Sequence, residues 1–569
     1  MKNIYKIVLS AAVLLVGCTK DESGPDVNPD WIDEDSVSAY CNEFYEGFSG
    51  YGEGTKEGDS YFKLLSDDQA ITGVAKWTYT DVPSNSPTWN EGWKAIRRAN
   101  LLLEKIADVP MSEARQIHWT AVGRLMRGWH YYHLVRMYGN LPWTEHSADI
   151  SKDGYLLSGA RIDRDIVMSK VLADLNYACT NTDENNSKTT FNRAVANAMK
   201  AEICLYEGTF RKYRSEADGQ KAPDTDGASD FLEEAKKACT YITAQDYRLN
   251  DSYQGNYNST DLSSNPEMIF YKDYAVGGKR HSLIAATSSS VPIFGMSKDA
   301  FESYLFRKDG KPVSVTSETN INDLPHKIET GTTTVYSIFE ILKLRDARLG
   351  LTIDTAQCFI GCPFIRFASG LPMTSTTGYG ICKYDNKELD ATDRNVPGGN
   401  YTDAPLFWLS VVYLQYAEAC AELAELGAGS VSESDLAGLN ELRARAQLPD
   451  LLPRPGFSDP KNTIGVSDLL WEIRRERRCE LMFDNNTRYW DLVRWHQLNK
   501  LDTDAYPDIV LGVATAAPRT EITTVQKYDR YYLDTRSGNK RTYDKKYYLY
   551  PIPSGQLTRT PGLGQNPEW

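Results

Sequence analysis

The densest cluster of charged residues lies between positions 472 and 496, in the segment EIRRERRCELMFDNNTRYWDLVRWH. Six arginines in one stretch could clamp a phosphate or serve as catalytic arginines. Five acidic residues alternate with them: Glu472, Glu476, Glu480, Asp484 and Asp491. Glu480 follows Arg477 by three positions and Arg494 follows Asp491 by three, which is pairing distance on a helix. We therefore interpret the segment as a network of ion pairs that locks a helix to the loop after it.

Histidine pairs and glycine-rich turns offer the other candidate chemistry. His130 and His133 lie one helical turn apart and could hold a metal ion with His146, but the carboxylate companions of a zinc-binding helix are missing. GYGEG at 50–54 has neither a strand before it nor a clear helix after it, so it does not predict a nucleotide loop. A carboxylate pair for glycoside hydrolysis stays open, because 77 acidic residues always allow some pair. We predict a protein that is not an enzyme and holds no cofactor or metal ion.

Cys18 ends a short apolar segment and could carry lipid. Two lysines precede the apolar run 7–16, which is too short to span a bilayer and is typical of a secretory signal. The end of that run, Leu-Val-Gly-Cys, looks like a bacterial lipobox; the alternative is an ordinary signal peptide in which the cysteine is incidental. The Lys-Asp-Glu at 20–22 resembles the surface-export signal of Bacteroidetes lipoproteins. The sequence predicts a signal peptide over 1–17 and a lipidated flexible tether over 18–30.

The composition predicts a large globular protein that does not bind nucleic acid. The chain has 569 residues, 41% of them hydrophobic, and a net charge of −14. Phosphate backbones need a basic surface, and an acidic surface also disfavours strongly anionic glycans. Tyrosine is abundant, with 35 Tyr against 17 Phe, and it suits surfaces that hold polar ligands. Cys358 and Cys362 lie close together in an irregular segment, where a disulfide and two free thiols are both open.

Helical periodicity is strong in two zones of the chain. Apolar residues recur at three- and four-residue steps over 89–106, 117–135, 163–179, 191–212, 229–244, 412–426, 434–446 and 467–483. Ala121 and Gly128 are small enough to let a neighbouring helix approach closely. Consecutive amphipathic helices joined by short turns predict helical hairpins, loosely like tetratricopeptide repeats.

An irregular region separates the two helical zones. Between 250 and 403, Gly, Ser, Thr, Asn and aromatics dominate, with short β-like runs such as MIFYKDY and GYGICKYD. The tail 501–569 is rich in proline and is predicted to be non-helical. We predict one mainly α domain over 31–569, with irregular loops and few short strands. Its helical scaffold, at 31–245 and 404–500, carries an irregular ligand-binding half.

Several aromatic- and arginine-rich segments carry a family resemblance: WNEGWKAIRRANLLLEKI, RGWHYYHLVRMYGNLPW, LKLRDARL, YLQYAEACAELAELG, LNELRARAQLP, RRERRCELMFDNNTRYWDLVRW and YYLYPIPSGQL…QNPEW. In this order they resemble the SusD/RagB family of outer-membrane lipoproteins and cover nearly the whole mature chain. Two departures lie in the charged segment. Positions 484–486 have Asp-Asn-Asn where the family often has Glu-Gly, and Trp490 replaces the usual Phe. They bear on local packing.

The resemblance implies a location, a partner and a ligand. It implies an anchor in the outer membrane through acylated Cys18, with the protein facing the cell exterior. It implies a TonB-dependent transporter of the SusC type, over which the protein acts as a hinged lid. Ligands in the family are usually oligosaccharides, and some members handle peptides. Glycan capture is therefore the leading hypothesis; peptide capture, a surface glycosidase and a purely structural transporter subunit are the alternatives.

Candidate binding residues are predicted by position, from side chains off the helix faces. Sugar capture needs aromatic faces against the C–H side of pyranose rings, together with polar groups for the hydroxyls. The candidates are Trp77, Tyr79, Tyr274, His281 and Phe294, with Arg280 as a hydroxyl or carboxylate partner. Each of them has partly buried packing as its structural alternative. Trp89 and Trp93 are excluded, because they lie on an apolar helix face.

Overall fold

The computed structural model describes most of the chain from residue 31 onward. The described ranges are 31–58, 64–73, 75–147, 160–288, 293–318, 324–330, 333–359, 364–365, 372–373, 375–520, 522–527 and 529–569. The predicted signal peptide, Cys18 and the tether lie outside these ranges. The question of a Cys358–Cys362 disulfide also lies outside them, because Cys362 is not among the described residues.

The described ranges form seventeen α-helices. They are α1 Glu34–Glu46, α2 Pro87–Lys105, α3 Glu113–Tyr138, α4 Arg164–Asn181, α5 Arg193–Tyr213, α6 Thr225–Thr243, α7 Leu283–Thr287, α8 Lys298–Ser303, α9 Phe339–Leu344, α10 Ala347–Thr352, α11 Ala391–Arg394, α12 Leu409–Glu425, α13 Ala437–Arg445, α14 Asp468–Glu480, α15 Thr487–Arg494, α16 Arg536–Asn539 and α17 Ser554–Arg559. The helical periods predicted from the sequence are confirmed, with their ends shifted by a few residues.

Side-chain caps fix where the long helices begin. Ser86 accepts the N–H of Trp89 at the start of α2, and Pro87 occupies the first helical position, where no N–H is needed. Ser112 and Asn192 cap α3 and α5 in the same way. At α14 the cap is Ser467, which accepts the N–H of Leu470. Polar residues just before apolar runs therefore set the helix register.

The long helices pack in sequence into one stack. Helix α2 packs against α3, α3 against α4, α4 against α5 and α5 against α6. The chain then leaves the stack and returns with α12, which packs against α6 and carries α13 and α14 on its other side. This neighbour-to-neighbour order is the tetratricopeptide-like arrangement that the sequence predicts.

Strands in the described ranges are short. They are β1 Gly52–Glu53, β2 Lys56–Glu57, β3 Gln69–Ile71, β4 Met268–Lys272, β5 Phe294–Met296, β6 His326–Thr330, β7 Thr333–Ser337, β8 Ile353–Cys358, β9 Phe364–Ile365, β10 Pro372–Met373, β11 Gly378–Ile381, β12 Ala404–Trp408, β13 Leu511–Thr515, β14 Thr524–Lys527 and β15 Arg530–Asp534. The β-like runs MIFYKDY and GYGICKYD become β4 and β11. Antiparallel pairing of β4 with β12 joins the two ends of the irregular region at the helical stack.

Two hydrophobic cores meet at α12. Val412, Ala419 and Leu423 belong to the core of the helical stack, whereas Leu414 and Ala417 belong to the core of the irregular half. A helix that is apolar on both sides must be buried on both sides. Helix α12 is therefore the shared wall between the scaffold and the irregular half.

The tail differs from its prediction. Residues 501–569 contain the helices α16 and α17 and an antiparallel sheet in the order β13-β15-β14. The four-residue α16 and six-residue α17 are too short to show a helical period in the sequence, so the prediction of a wholly non-helical tail is wrong. Within the described ranges, no helix combines the length and the apolar character needed to cross a bilayer.

Candidate functional site

A cleft of about 890 Å³ opens among the helices of the scaffold and beside β12, and we call it the central cleft. Helix α3 supplies one wall through Trp129, His133 and Arg136. The other walls come from α1, α2, α5, β12 and α15. Its volume falls within the range of about 300–1,000 Å³ that is typical of small-ligand sites.

Aromatic rings form much of the cleft wall. The ring of Trp129 is half-buried and lies 5.6 Å from Phe48, 4.3 Å from His133 and 5.8 Å from Phe407, between ring centroids. Trp490 lines the cleft from α15 and is also half-buried. Such rings offer the apolar faces on which the C–H side of a sugar can pack.

The histidines of the HYYH motif line the cleft as neutral groups. Burial lowers the pKa of His130 to about 4 and holds that of His133 well below its ordinary value. His133 Nδ1 donates to the carbonyl oxygen of Trp129 at 2.9 Å. His146 instead lies beside Glu104, with its Nδ1 3.5 Å from Glu104 Oε1. In the part of the chain that the structure describes, no group of three His, Cys, Asp or Glu residues is placed to hold a metal ion.

The charged segment 472–494 lies behind the cleft as a buried ion-pair network. Arg494 donates to both carboxylate oxygens of Glu418, at 2.6 and 2.7 Å, and to Asp491 at 2.9 Å. Asp491 also accepts from Arg477 at 2.9 Å. The network therefore ties α14 and α15 to α12, which confirms the structural interpretation of the segment.

One predicted ion pair is wrong. Glu480 does not pair with Arg477; it accepts from Arg348 at 2.7 Å and from Arg445 at 2.6 Å. Arg348 belongs to α10 and Arg445 to α13, so Glu480 holds three helices together. The loop expected after α14 also continues into α15. Asn485 and Asn486 turn the chain there with φ of 44° and 57°, a conformation that asparagine tolerates better than most residues.

Trp77 and Tyr79 lie against the C-terminal segment. The ring of Trp77 is buried and stacks on Tyr547 at 4.2 Å, and its Nε1 donates to Thr542 O at 3.0 Å. Tyr79 is half-buried and its hydroxyl lies 3.0 Å from Ser86 Oγ, the cap of α2. Neither residue lines the central cleft. Of the two stacked rings, that of Tyr547 is the half-buried one and that of Trp77 is buried.

Tyr274, Arg280 and His281 lie together beneath the segment 49–58. The Tyr274 hydroxyl donates to Gly52 O at 2.7 Å, and His281 Nε2 donates to Thr402 O at 3.0 Å. Both side chains are almost fully buried, and burial lowers the pKa of His281 to about 3. These contacts give them a packing role. Contact with a ligand stays a prediction for them.

Arg280 and Phe294 complete the predicted set. Arg280 is half-buried, donates to Asp393 at 2.8 Å and to Gly399 O at 3.0 Å, and lies over Tyr401. Phe294 is 8% exposed and belongs to the core of the irregular half. It lies in β5, which pairs with β3. The six predicted residues thus fall in three separate places, and the structure does not bring them into one site.

Trp129, Arg136 and Trp490 were not among the binding candidates predicted from the sequence. Trp129, His133 and Arg136 lie at i, i+4 and i+7 on one face of α3, which was a readable signal. Arg136 and Trp490 are distant in sequence, yet the guanidinium carbon lies 4.1 Å from the Trp490 ring centroid. That contact exists only because α15 packs beside the helical stack.

The fold defines a class of protein in which a stack of helical pairs, with a cleft among its helices, carries an irregular half. Comparisons with known proteins place the chain within that class. A model of the SusD family matches residues 369–569, and a second family, described as starch-binding and associating with the outer membrane, matches residues 42–205. The two segments together cover more than half of the chain. The chain belongs to the SusD/RagB family.

Individual relatives are distant but extend over most of the chain. A SusD-like protein of Formosa agariphila is 23% identical over 424 residues, covering 73% of this chain and 71% of its own length. A crystal structure of a SusD-like carbohydrate-binding protein from Bacteroides fragilis matches 94% of this chain and 99% of its own, with 18% identity and a TM-score of 0.68. A laminarin-binding SusD-like protein matches 95% and 100%, with 20% identity and a TM-score of 0.55. These structures share the fold.

Proposed function

We propose that this protein binds oligosaccharides without cleaving them and delivers them to a TonB-dependent transporter of the SusC type. Membership of the SusD/RagB family supports glycan binding, as do the starch-binding description of the second family and the carbohydrate-binding neighbours. The family description also supports association with the outer membrane. Anchoring through acylated Cys18, orientation toward the cell exterior and the role of a lid belong to the same proposal.

The observation that carries the proposal is the chemistry of the central cleft. It combines aromatic rings from Phe48, Trp129 and Trp490 with polar side chains of Glu202 and Arg136. Carbohydrate sites need this combination, because each pyranose has apolar C–H faces and an equatorial belt of hydroxyls.

Titration calorimetry of the mature protein against neutral and acidic oligosaccharides tests the proposal. We expect a saturable heat with at least one glycan class and no new reducing ends after prolonged incubation. Heat with peptides and with no glycan would instead support peptide capture. New reducing ends would establish a glycosidase. Absence of binding to every sugar and peptide would leave a structural transporter subunit.

Replacing a cleft tryptophan distinguishes the central cleft from other surfaces. We expect Trp129→Leu to weaken glycan binding at least tenfold, because it removes the ring face that packs on the sugar. Trp143→Leu is the matched control, since Trp143 is equally half-buried but stacks on Tyr131 and does not line the cleft. If both variants bind like the parent protein while glycan binding persists, the site lies elsewhere, and the surface around Trp77, Tyr79 and Tyr547 becomes the next candidate.

A further inference from the structure

Arg136 is the unusual cation of the central cleft. Most buried or half-buried arginines of this protein are matched by carboxylates, as in the Arg494–Glu418 pair. Among the described residues, no carboxylate oxygen lies within 4.0 Å of the Arg136 guanidinium. Its contacts are instead the rings of Tyr132 and Trp490 and a 3.4 Å hydrogen bond to the Tyr132 hydroxyl. Its Nε, which is buried, has no partner in the same described part.

Two further donors of the cleft wall are left unused. Arg477 is 7% exposed, and its Nε donates to Asp491, yet its buried NH1 has no hydrogen-bond partner among the described residues. Tyr206 is 3% exposed, and its hydroxyl likewise has none within the described ranges. Buried donors are normally satisfied, and an unsatisfied one is unfavourable. All three residues line the central cleft, where a ligand that accepts hydrogen bonds would satisfy these donors after a side-chain shift, because the atoms themselves are covered.

Glu202 lies near both arginines. Burial raises the pKa of Glu202 above its ordinary value, while Arg136 and Arg477 act in the opposite direction. No ion pair joins Glu202 to either arginine among the described residues. Because Arg136 forms no ion pair among the described residues, it can receive an anion in the cleft although the whole chain carries −14. Net charge describes the whole surface, whereas binding follows the groups within a few ångströms.

We infer that the central cleft recognises an acidic sugar, the hexuronate unit of an oligosaccharide, through a carboxylate held by Arg136 and Arg477. This deepens the proposed glycan binding and depends on it. Guanidinium groups donate parallel N–H bonds to carboxylates, which lysine cannot reproduce. Trp129 lies two turns before Arg136 on α3 and supplies the ring face for the sugar. A carboxylate and a C–H ring face in one ligand match a uronate better than a peptide end, which has no such face.

The test compares each acidic ligand with its uncharged methyl ester. Trisaccharides of galacturonate, mannuronate and guluronate are titrated into the mature protein at low ionic strength, beside their methyl esters and a neutral trisaccharide. We expect at least one uronate to bind ten or more times more tightly than its ester, with an affinity that falls as salt rises. A set of tripeptides is the parallel arm for a peptide ligand.

Substitutions of cleft residues test whether the preference for the acidic sugar over its ester depends on the central cleft. Arg136→Met keeps the packing stem but removes the guanidinium, and we expect the preference for acid over ester to disappear. Arg124→Met is the matched control, because Arg124 is on the same helix and covers the ring of Tyr177 at 4.2 Å, yet does not line the cleft. Tyr206→Phe, which removes one oxygen, is the second probe if Arg136→Met fails to fold. We expect it to weaken uronate binding at least threefold.

The outcomes separate this inference from the proposed function. Equal binding of uronates and esters, or a preference that survives both cleft variants, would overturn the inference while glycan binding stands. Binding of tripeptides that depends on Arg136, without uronate binding, would replace the acidic sugar by a peptide. Failure of every sugar to bind would remove the proposed function itself.

Discussion

At the scale of single residues, hydrogen-bond partners decide what each polar side chain does. His281 was a binding candidate from its position, yet both of its ring nitrogens are occupied in the interior. Leu283 N–H donates to Nδ1 at 3.3 Å, so the proton lies on Nε2, which donates to Thr402 O. By contrast, Arg136 and Tyr206 carry groups that the described protein leaves unused. Our proposal of a ligand site therefore starts from side chains with unsatisfied polar groups.

The neutral state of His281 predicts acid sensitivity. Its folded pKa of about 3 lies below the unfolded value of about 6.5, so the unfolded chain binds the extra proton as the pH falls. Its contribution to stability is present above pH 6.5 and is lost progressively toward pH 3. Between pH 6.5 and 5 this one group lowers the free energy of unfolding by about 2 kcal/mol.

Denaturant unfolding at several pH values checks this prediction. We expect His281→Asn, which keeps an acceptor for Leu283 but does not titrate, to show a smaller loss than the parent over that interval. The exposed His146 provides the control, and His146→Asn should retain the parent's pH dependence. Identical slopes for the parent and His281→Asn would show that this imidazole does not resist protonation.

At the scale of elements, small residues set how closely the helices pack. Gly128 is small, as the sequence suggested, but a Cβ there would meet Val171 at 3.6 Å, which is ordinary contact. Gly208 on α5 is the tighter position. A Cβ there would lie 2.7 Å from Leu232 Cγ and 3.1 Å from the Ala228 carbonyl oxygen on α6. Nothing in the order of residues ranks these two positions, because each looks like a glycine on a helix.

Alanine substitutions should separate these two glycines. We expect Gly208→Ala to lower the free energy of unfolding by about 1–3 kcal/mol, because the methyl group overpacks the α5–α6 contact. Gly128→Ala should be neutral or raise it by up to about 1 kcal/mol through helix propensity. Thermal or denaturant unfolding measures both. A destabilised Gly128→Ala together with an unaffected Gly208→Ala would contradict the packing described for this stack.

At the scale of the whole molecule, buried charge holds distant segments together. Arg478 on α14 donates to Asp68 at 2.7 Å and to Asp299 on α8 at 2.8 Å. With the Glu480 contacts, this ties the N-terminal loops, the irregular half and the helical stack to one helix. Removing one partner of a buried pair leaves an uncompensated charge and destabilises the fold. The charged segment therefore holds these three parts of the molecule together.

The membrane anchor is a prediction about the whole molecule. We expect Cys18→Ser to abolish acylation, because serine lacks the thiol that carries the lipid, and to release the protein from the membrane fraction. Metabolic labelling with a radiolabelled fatty acid and fractionation of cells measure both effects. Cys382→Ser is the control, since Cys382 lies inside the folded domain. Labelling and membrane association that persist in Cys18→Ser would disprove the anchor.

The sequence by itself determined most of the long helices, their order and the family. Helical periods and caps are local properties, so they are legible without a structure: Ser86 and Pro87 set the start of α2 wherever that helix packs. Alternating charges in 472–494 likewise indicated a network of ion pairs, although many of the partners lie outside the segment and that of Glu480 was misassigned.

Only the tertiary structure decided which aromatic rings are covered and which line the central cleft. Trp77, Tyr274 and Phe294 looked available because an aromatic in a loop has no period that shows whether its ring is covered. Tyr547 covers Trp77 from far along the chain. The cleft joins Trp129 and Arg136 to Trp490 for the same reason, since contacts between residues distant in sequence arise when helices pack. Whether a polar group is left unused depends on every neighbour in space, and the linear order of residues does not contain that information.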